Sequence, residues 1–276
     1  MVKIFSSFFS SKSNKADAKI NAPTQDKIPL ADSIKAQLVQ YANAQTAQKS
    51  AAFHKSTIND AENRNTDIFL GVPKPTCKQI AQQYAQSATW SDISQLLSTP
   101  NSEHEVKLVA CLILIAKAKD TTNQNSAKAA YDFYFKHLAA FTSWDLIDET
   151  APTIIGDYLQ AHPSYPRDDI YRLIKSRSDW DKRIALVATQ AFIENNNFDD
   201  ALKLCKLCFN ELSPMIQKTA GKLLKEVGKK NKQILFEFIA NNQTKMPKDM
   251  LNAAMGNLST TLKKTIRSET RILAKK

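Results

Sequence analysis

Two tryptophans in the middle of the chain each share a predicted helix face with a charged residue. Asp148 follows Trp144 by four residues, and Arg183 follows Trp180 by three. Residues at these spacings point to the same side of an α-helix. A fixed carboxylate can stabilise a sugar that develops positive charge as its glycosidic bond breaks, and a guanidinium can hold a phosphate. The four residues therefore predict chemistry on a nucleic acid.

The same residues also admit a purely structural explanation. Trp144 can be a core indole, Asp148 a solvated helix acid and Arg183 its salt-bridge partner. Spacing alone does not separate this explanation from the functional one.

The elements that would position these residues are helices. Glycine occurs only five times in 276 residues, and apolar residues recur with helical rather than alternating spacing. Helix starts are predicted at Ser143-Trp144, Asp179-Trp180 and Ser213-Pro214, where Ser143, Asp179 and Ser213 are suitable N-caps. Intervals of about 35 residues between such starts are typical of two-helix HEAT or armadillo repeats.

We therefore expect an all-α fold, a right-handed α-α superhelix of HEAT-like repeats with a concave basic groove. On stacking of the repeats, Trp144, Asp148, Trp180 and Arg183 converge on the concave surface, flanked by Lys182 and Lys222. The remaining periodicity predicts helices over residues 31–47, from about 75, and over 90–97, 104–119, 126–140, 168–176, 199–211, 232–240, 247–258 and about 261–273, with no β-strand.

The ends of the chain differ in composition. Residues 1–29 contain a serine cluster and no periodic pattern after Ser10, which predicts a disordered N-terminal tail; a transit peptide is the alternative. We expect one domain over residues 30–274. Residues 222–276 carry 13 Lys and Arg against 4 Asp and Glu, 13 − 4 = +9 of a total net charge of +11. A basic stripe on a folded domain favours a nucleic-acid partner, although a merely soluble basic surface has the same composition.

Other features exclude several classes of protein. The four cysteines include Cys205 and Cys208 on one predicted helix face, which favours core packing over a zinc site. The absence of a disulfide pattern is typical of the cytoplasm, where we place the protein. No apolar run is long enough to span a membrane, and no nucleotide-binding or metalloprotease motif occurs. We expect no metal, no cofactor and a monomer.

The segment from Thr142 to Asp148 reads T-S-W-D-L-I-D and resembles the W-D-x-x-D motif of the AlkD-like DNA alkylation-repair glycosylases. Similar matches are I-F-L-G-V-P at 68–73, H-E at 104–105, W-D-K-R-I-A at 180–185 and E-V-G-K-K at 226–230. The resemblance implies a HEAT-like solenoid that cradles duplex DNA and excises cationic alkylpurines such as 3-methyladenine and 7-methylguanine without a cofactor. It implies that Asp148 is the catalytic carboxylate, that Trp144 packs against the deoxyribose of the lesion and that Arg183 holds a backbone phosphate.

The chain departs from the family pattern in the basic half. Lys222 stands where the second site tryptophan is expected, and Lys225 replaces an arginine. Lysine keeps the charge of arginine but loses its planar, bidentate phosphate contact. We therefore expect an alkylpurine glycosylase of base excision repair with Trp180, Arg183, Lys182, Lys222 and Lys225 on DNA. The alternatives are a non-catalytic protein of the same fold that binds distorted or branched DNA, and a HEAT-type protein scaffold.

Overall fold

The computed structural model describes residues 29–57, 67–98 and 103–273. These residues form an all-α, repeat-like superhelix, as predicted, and the only β-type contact among them is an isolated parallel bridge between Ile68 and Glu103. The tail predicted over residues 1–29 lies, apart from Pro29, outside the described residues. Within the described ranges, no helix has both the length and the apolar character needed to cross a bilayer.

The helices, numbered along the described residues, are α1 Leu30–Gln40, α2 Ala44–Thr57, α3 Lys74–Tyr84, α4 Trp90–Ser98, α5 His104–Ala118, α6 Ser126–Lys136, α7 Trp144–Ala151, α8 Tyr158–Ala161, α9 Asp168–Leu173, α10 Asp179–Ala188, α11 Gln190–Glu194, α12 Asp199–Leu207, α13 Pro214–Lys230, α14 Lys232–Asn242, α15 Lys248–Ala254 and α16 Thr260–Leu273. A short 3₁₀ helix covers Leu138–Ala140, and a π-helical segment covers Pro152–Asp157.

One predicted helix is in fact two. The stretch over 31–47 breaks between Gln40 and Ala44, because the Asn43 side chain accepts a hydrogen bond from the Thr46 backbone N–H at 2.9 Å and starts a new helix. The Asn43 backbone N–H in turn donates to the Leu70 carbonyl oxygen at 2.9 Å. Gly71 packs against this turn with a φ of 77°, a left-handed conformation that favours glycine.

Several predicted helix ends were also wrong. α10 is capped by Ser178 rather than Asp179, since the Ser178 hydroxyl accepts the Asp181 backbone N–H. α9 ends at Leu173 and α12 at Leu207, earlier than predicted, and α15 spans only Lys248–Ala254. The helix predicted to 140 ends at Lys136 and continues as the 3₁₀ turn.

The central helices pack in a chain: α7 lies against α5 and α10, α10 against α13, and α13 against α15. Their shared core includes Ile147, Ile184 and Leu224, all fully buried. Cys205 and Cys208 are both buried in the same core, which agrees with their predicted packing on one helix face. Burial raises the pKa of the Cys208 thiol to about 12, so it stays protonated.

The π-helical segment brings two layers of the stack into close contact. A Cβ at Gly156 would lie 2.2 Å from the carbonyl oxygen of Ala188 and 2.7 Å from the Ala191 side chain. Only glycine leaves room for this approach, which places α7 and the π segment directly on α10 and α11.

We expect Gly156→Ala to lower the free energy of unfolding by about 1–3 kcal/mol, because the added methyl forces the two layers apart. The matched control is Gly256→Ala, whose Cβ would meet the flexible Lys225 side chain at 3.0 Å and the Ala253 carbonyl oxygen at 3.1 Å, without the approaches below 3.0 Å found at Gly156. Chemical denaturation of both variants measures the effect. Equal losses would contradict the close-packing explanation.

Candidate active site

The site is built around an ion pair between α7 and α10. Arg183 donates from Nε to Asp148 Oδ1 at 3.0 Å, and from Nη2 to Oδ1 at 2.7 Å and to Oδ2 at 2.6 Å. The Arg183 side chain is only 7% exposed, whereas the Asp148 side chain is 38% exposed. The buried guanidinium therefore contacts the carboxylate from the protein interior, and the other side of the carboxylate is open to solvent.

Thr219 of α13 completes this arrangement. Its hydroxyl accepts a hydrogen bond from Arg183 Nη1 at 2.7 Å and donates to the Met215 carbonyl oxygen at 2.7 Å. Both Thr219 and Arg183 are buried. One guanidinium thus joins α7, α10 and α13, and the carboxylate has little freedom to rotate.

Trp144 lies on the same helix as Asp148 and is half-buried. Its indole stacks on the His54 imidazole, with ring centroids 5.3 Å apart and planes at 28°, and meets Phe53 edge-on at 5.8 Å. The indole Nε1 is buried and has no hydrogen-bond partner among the described residues. The indole is therefore fixed by ring packing rather than by a hydrogen bond.

A cavity of about 400 Å³ opens beside these two residues, between α2, α5, α7 and the segment before α3. Its wall combines aromatic, apolar and charged side chains: Thr46, Ser50, His54, Phe69, Val72, Pro73, Lys74, His104, Glu105, Leu108, Trp144, Asp145, Asp148 and Glu149. The structure therefore brings the two predicted catalytic residues, Trp144 and Asp148, to one cavity.

A buried charged network supports the floor of this cavity. The His104 ring bonds Asp67 Oδ2 through Nδ1 at 2.9 Å and Asp145 Oδ2 through Nε2 at 2.8 Å. Lys107 also donates to Asp67, at 2.6 Å. Burial by itself would lower the pKa of His104, but the hydrogen bonds to the two carboxylates outweigh it and raise that pKa to about 9. His104 is thus an imidazolium at neutral pH.

Asp145 links this network to the start of α7. Burial alone would raise the pKa of its carboxyl, but the His104 hydrogen bond reverses the effect and lowers that pKa to about 2. The Ser143 hydroxyl donates to Asp145 Oδ1 at 2.5 Å and lies 3.2 Å from His54 Nδ1. Burial lowers the pKa of His54, although the neighbouring Asp145 charge opposes that shift.

His54, His104 and Asp145 have the residue types of a metal site, and one ligand-type atom of each lies within 4.8 Å of the others. Both ring nitrogens of His104 are already hydrogen-bonded to carboxylates, however. A proton on each nitrogen accounts for this geometry, and the cluster requires no metal ion to explain it.

The cavity wall before α3 is fixed by Glu105. Its carboxylate accepts the backbone N–H groups of Leu70, Gly71 and Val72 at 2.9, 2.8 and 3.2 Å. On the opposite wall, Glu149 is paired with Lys74 and, at 3.7 Å, with Lys78. The loop before α3 is therefore bound to α5, and α3 is bound to α7, around the cavity.

Two of the predicted DNA contacts need correction. Trp180 is only 7% exposed and belongs to the core rather than to an open concave surface. Arg183 is equally buried, and its Nε, Nη1 and Nη2 all have protein acceptors, so it positions Asp148 instead of holding a phosphate. Its pairing with Asp148 is the structural alternative considered from the sequence.

The three predicted lysines differ in exposure. Lys182 is paired with Glu211 at 2.7 Å, and its side chain is 12% exposed. Lys222 is exposed and Lys225 half-buried on α13. Lys222 and Lys225 are thus more accessible than Lys182, and the basic concave groove stays a prediction.

The sequence profile of the family described as DNA alkylation repair enzyme matches residues 34–258 of this chain. The chain belongs to that family. This DNA alkylation repair family member is also similar in fold to a protein of Enterococcus faecalis, described as a predicted DNA alkylation repair enzyme. The TM-score is 0.59 at 17% identity, covering 79% of this chain and 97% of the other. No curated protein matches the chain.

Sequence reasoning missed four residues that support the site: His54, Asp67, Asp145 and Thr219. Asp145 was visible inside the W-D-x-x-D motif, and His104 inside the H-E pair, but neither motif indicates that the two side chains bond each other. Thr219 has no signal in the sequence, because its partner Arg183 is 36 residues away.

The free energy of unfolding of this protein should fall as the pH rises from 6.5 to 9, because His104 loses its charge in this range. Its folded pKa of about 9 lies above the ordinary 6.5, so its contribution is complete below pH 6.5 and is lost as the pH rises through about 9. The loss is on the order of 3 kcal/mol. Denaturation of the wild type and of His104→Gln across this range should show the slope only in the wild type. Parallel profiles would refute the assignment of a charged His104.

Thr219→Val should lower the free energy of unfolding by about 1.5–3 kcal/mol, because it leaves a buried guanidinium N–H without its acceptor. Thr219→Ser keeps the hydroxyl and is the matched control. Calorimetry of both variants measures the difference. Equal unfolding temperatures for valine and serine would show that the hydrogen bond to Arg183 contributes nothing.

Proposed function

We propose that this DNA alkylation repair family member is a glycosylase that excises cationic N-alkylated purines, such as 3-methyladenine and 7-methylguanine, from duplex DNA. One observation carries the proposal: the Asp148 carboxylate is clamped by the buried Arg183 and shares a cavity with the Trp144 indole.

Asp148 has the properties required of an electrostatic stabiliser. Cleavage of the glycosidic bond moves positive charge onto the deoxyribose, and a fixed negative charge close to that sugar lowers the barrier. The three contacts from Arg183 fix the carboxylate before the reaction, so its reorganisation costs little.

Cationic purines suit a site that offers a carboxylate without a dedicated acid. An N-alkylated purine already carries the positive charge that makes it a good leaving group, so protonation of the base is unnecessary. Asp148 can also orient the attacking water from its exposed side. The Trp144 ring, rigidly stacked on His54, offers a flat apolar surface for the deoxyribose.

Contacts to the DNA backbone fall to the exposed lysines rather than to Arg183. Lys222 and Lys225 lie on α13, the same helix that supplies Thr219 to the site. Lysine ammonium groups attract phosphates without base specificity, and their contribution weakens as salt is added. In this division of roles, Arg183 positions the Asp148 carboxylate and the lysines bind DNA phosphates.

A second candidate function is a non-catalytic protein that binds distorted or branched DNA. The observation in its favour is the bidentate Arg183 contact, which neutralises much of the Asp148 charge. Lys222 also stands where the family pattern has a second site tryptophan, so this chain lacks an indole at that position.

Asp148→Asn should reduce release of 7-methylguanine from methylated duplex DNA by about 100- to 1,000-fold, the usual cost of removing one preorganised electrostatic group. Binding to the same DNA should persist, because the lysines are unchanged. The matched control is Asp132→Asn, an exposed acid that pairs with Lys128 one turn away. Circular dichroism confirms that both variants are folded.

Two results would reject the glycosylase assignment in different ways. Base release by Asp148→Asn at the wild-type rate would remove Asp148 from the mechanism. Tight binding of branched duplexes by the wild type with no base release would select the non-catalytic function.

A further inference from the structure

Lys222 differs from the other lysines of α13. Its side chain is exposed, and no carboxylate of the described residues lies within the 4.0 Å of an ion pair. Each of the other α13 lysines has such a partner: Lys218 pairs with Asp249, Lys225 and Lys229 with Glu226, and Lys230 with Glu194. Lys222 is thus the one amine of this helix that no acid within the described ranges neutralises.

Lys222 also lies one helical turn after Thr219, the α13 residue that contacts the ion pair of the site. Side chains on a helix lean back towards its N-terminus, over the preceding turn. The Thr219 hydroxyl is 2.7 Å from Arg183, whose Nη2 is 2.6 Å from Asp148. The four-carbon stem of lysine is about as long as one helical turn, which is the length needed to extend from α13 past Thr219 towards the ion pair.

The product of the proposed excision offers a reaction partner for this amine. Removal of the base leaves an abasic deoxyribose, whose ring-opened form carries an aldehyde at C1′. We propose that Lys222 forms an imine with this aldehyde, which gives the protein a second activity on abasic DNA. The inference rests on the proposed function, because that function places C1′ beside Asp148.

The step balances without a further reagent. The neutral amine of Lys222 attacks C1′, a C–N bond forms, and the carbonyl oxygen leaves as water after taking up two protons, one of them from the amine. The resulting iminium makes the C2′ protons acidic. Loss of one such proton to water expels the 3′ phosphate by β-elimination, and hydrolysis of the imine then frees Lys222.

Arginine separates this chemistry from an ordinary phosphate contact. A guanidinium keeps the positive charge but does not form an imine with an aldehyde under these conditions. Lys222→Arg should therefore keep a positive charge at this position and lose imine formation. Lys218→Arg, one turn earlier on the same helix and paired with Asp249, is the matched control.

The experiment uses the full chain and a labelled duplex with one abasic site, treated with sodium borohydride to reduce any imine to a stable amine. The wild type and Lys218→Arg should yield a covalent protein–DNA product and strand cleavage on the 3′ side. Lys222→Arg should lose both. Mass spectrometry of the peptide should place the adduct on Lys222.

An adduct of equal yield in Lys222→Arg, an adduct on another amine, or no adduct despite tight binding of abasic DNA would overturn the inference. Base release from methylated DNA is measured separately. Release without trapping would refute only the imine, whereas trapping on Lys222 without release would refute only the glycosylase.

Discussion

The contact between Arg183 and Asp148 is the interaction on which the rest of the site depends. Burying a guanidinium is costly unless its charge is compensated, and Asp148 and Thr219 together provide that compensation. The same contact fixes the carboxylate and joins three successive layers of the stack. Stability and the geometry proposed for catalysis are consequently properties of one ion pair, and neither can be changed without the other.

A second charged network, centred on His104, fixes the start of α7. His104 is held between Asp67 and Asp145, and Asp145 belongs to the first turn of the helix that carries Trp144 and Asp148. α7 is therefore anchored by charge at its start and again one turn later. Two anchors define both its position and its rotation, which a single contact would leave adjustable.

Local patterns were sufficient for much of this architecture. Few glycines, periodic apolar residues and the serine at position 213 before Pro214 predicted an all-α stack, and the spacing of Trp144 and Asp148 placed them correctly on one face. Trp180 was misplaced because helical spacing gives the face that residues share, not whether that face is buried. The Thr219 partner of Arg183 and the Asp67 partner of His104 lie 36 and 37 residues away, and no local rule predicts such contacts.

The π-helical segment after α7 changes the direction in which successive side chains point. Such a segment accommodates one residue more than the regular helical path, and each residue of an α-helix turns the chain by about 100°. Side chains beyond Asp157 are thus rotated relative to those before Pro152, and Tyr158 and Leu159 turn into the core. In a continuous α-helix, the side chains at the two ends would be related by the regular rotation of about 100° per residue. Here the extra residue gives the cavity wall and the core side chains beyond Asp157 an angular relation that an uninterrupted α-helix would not produce.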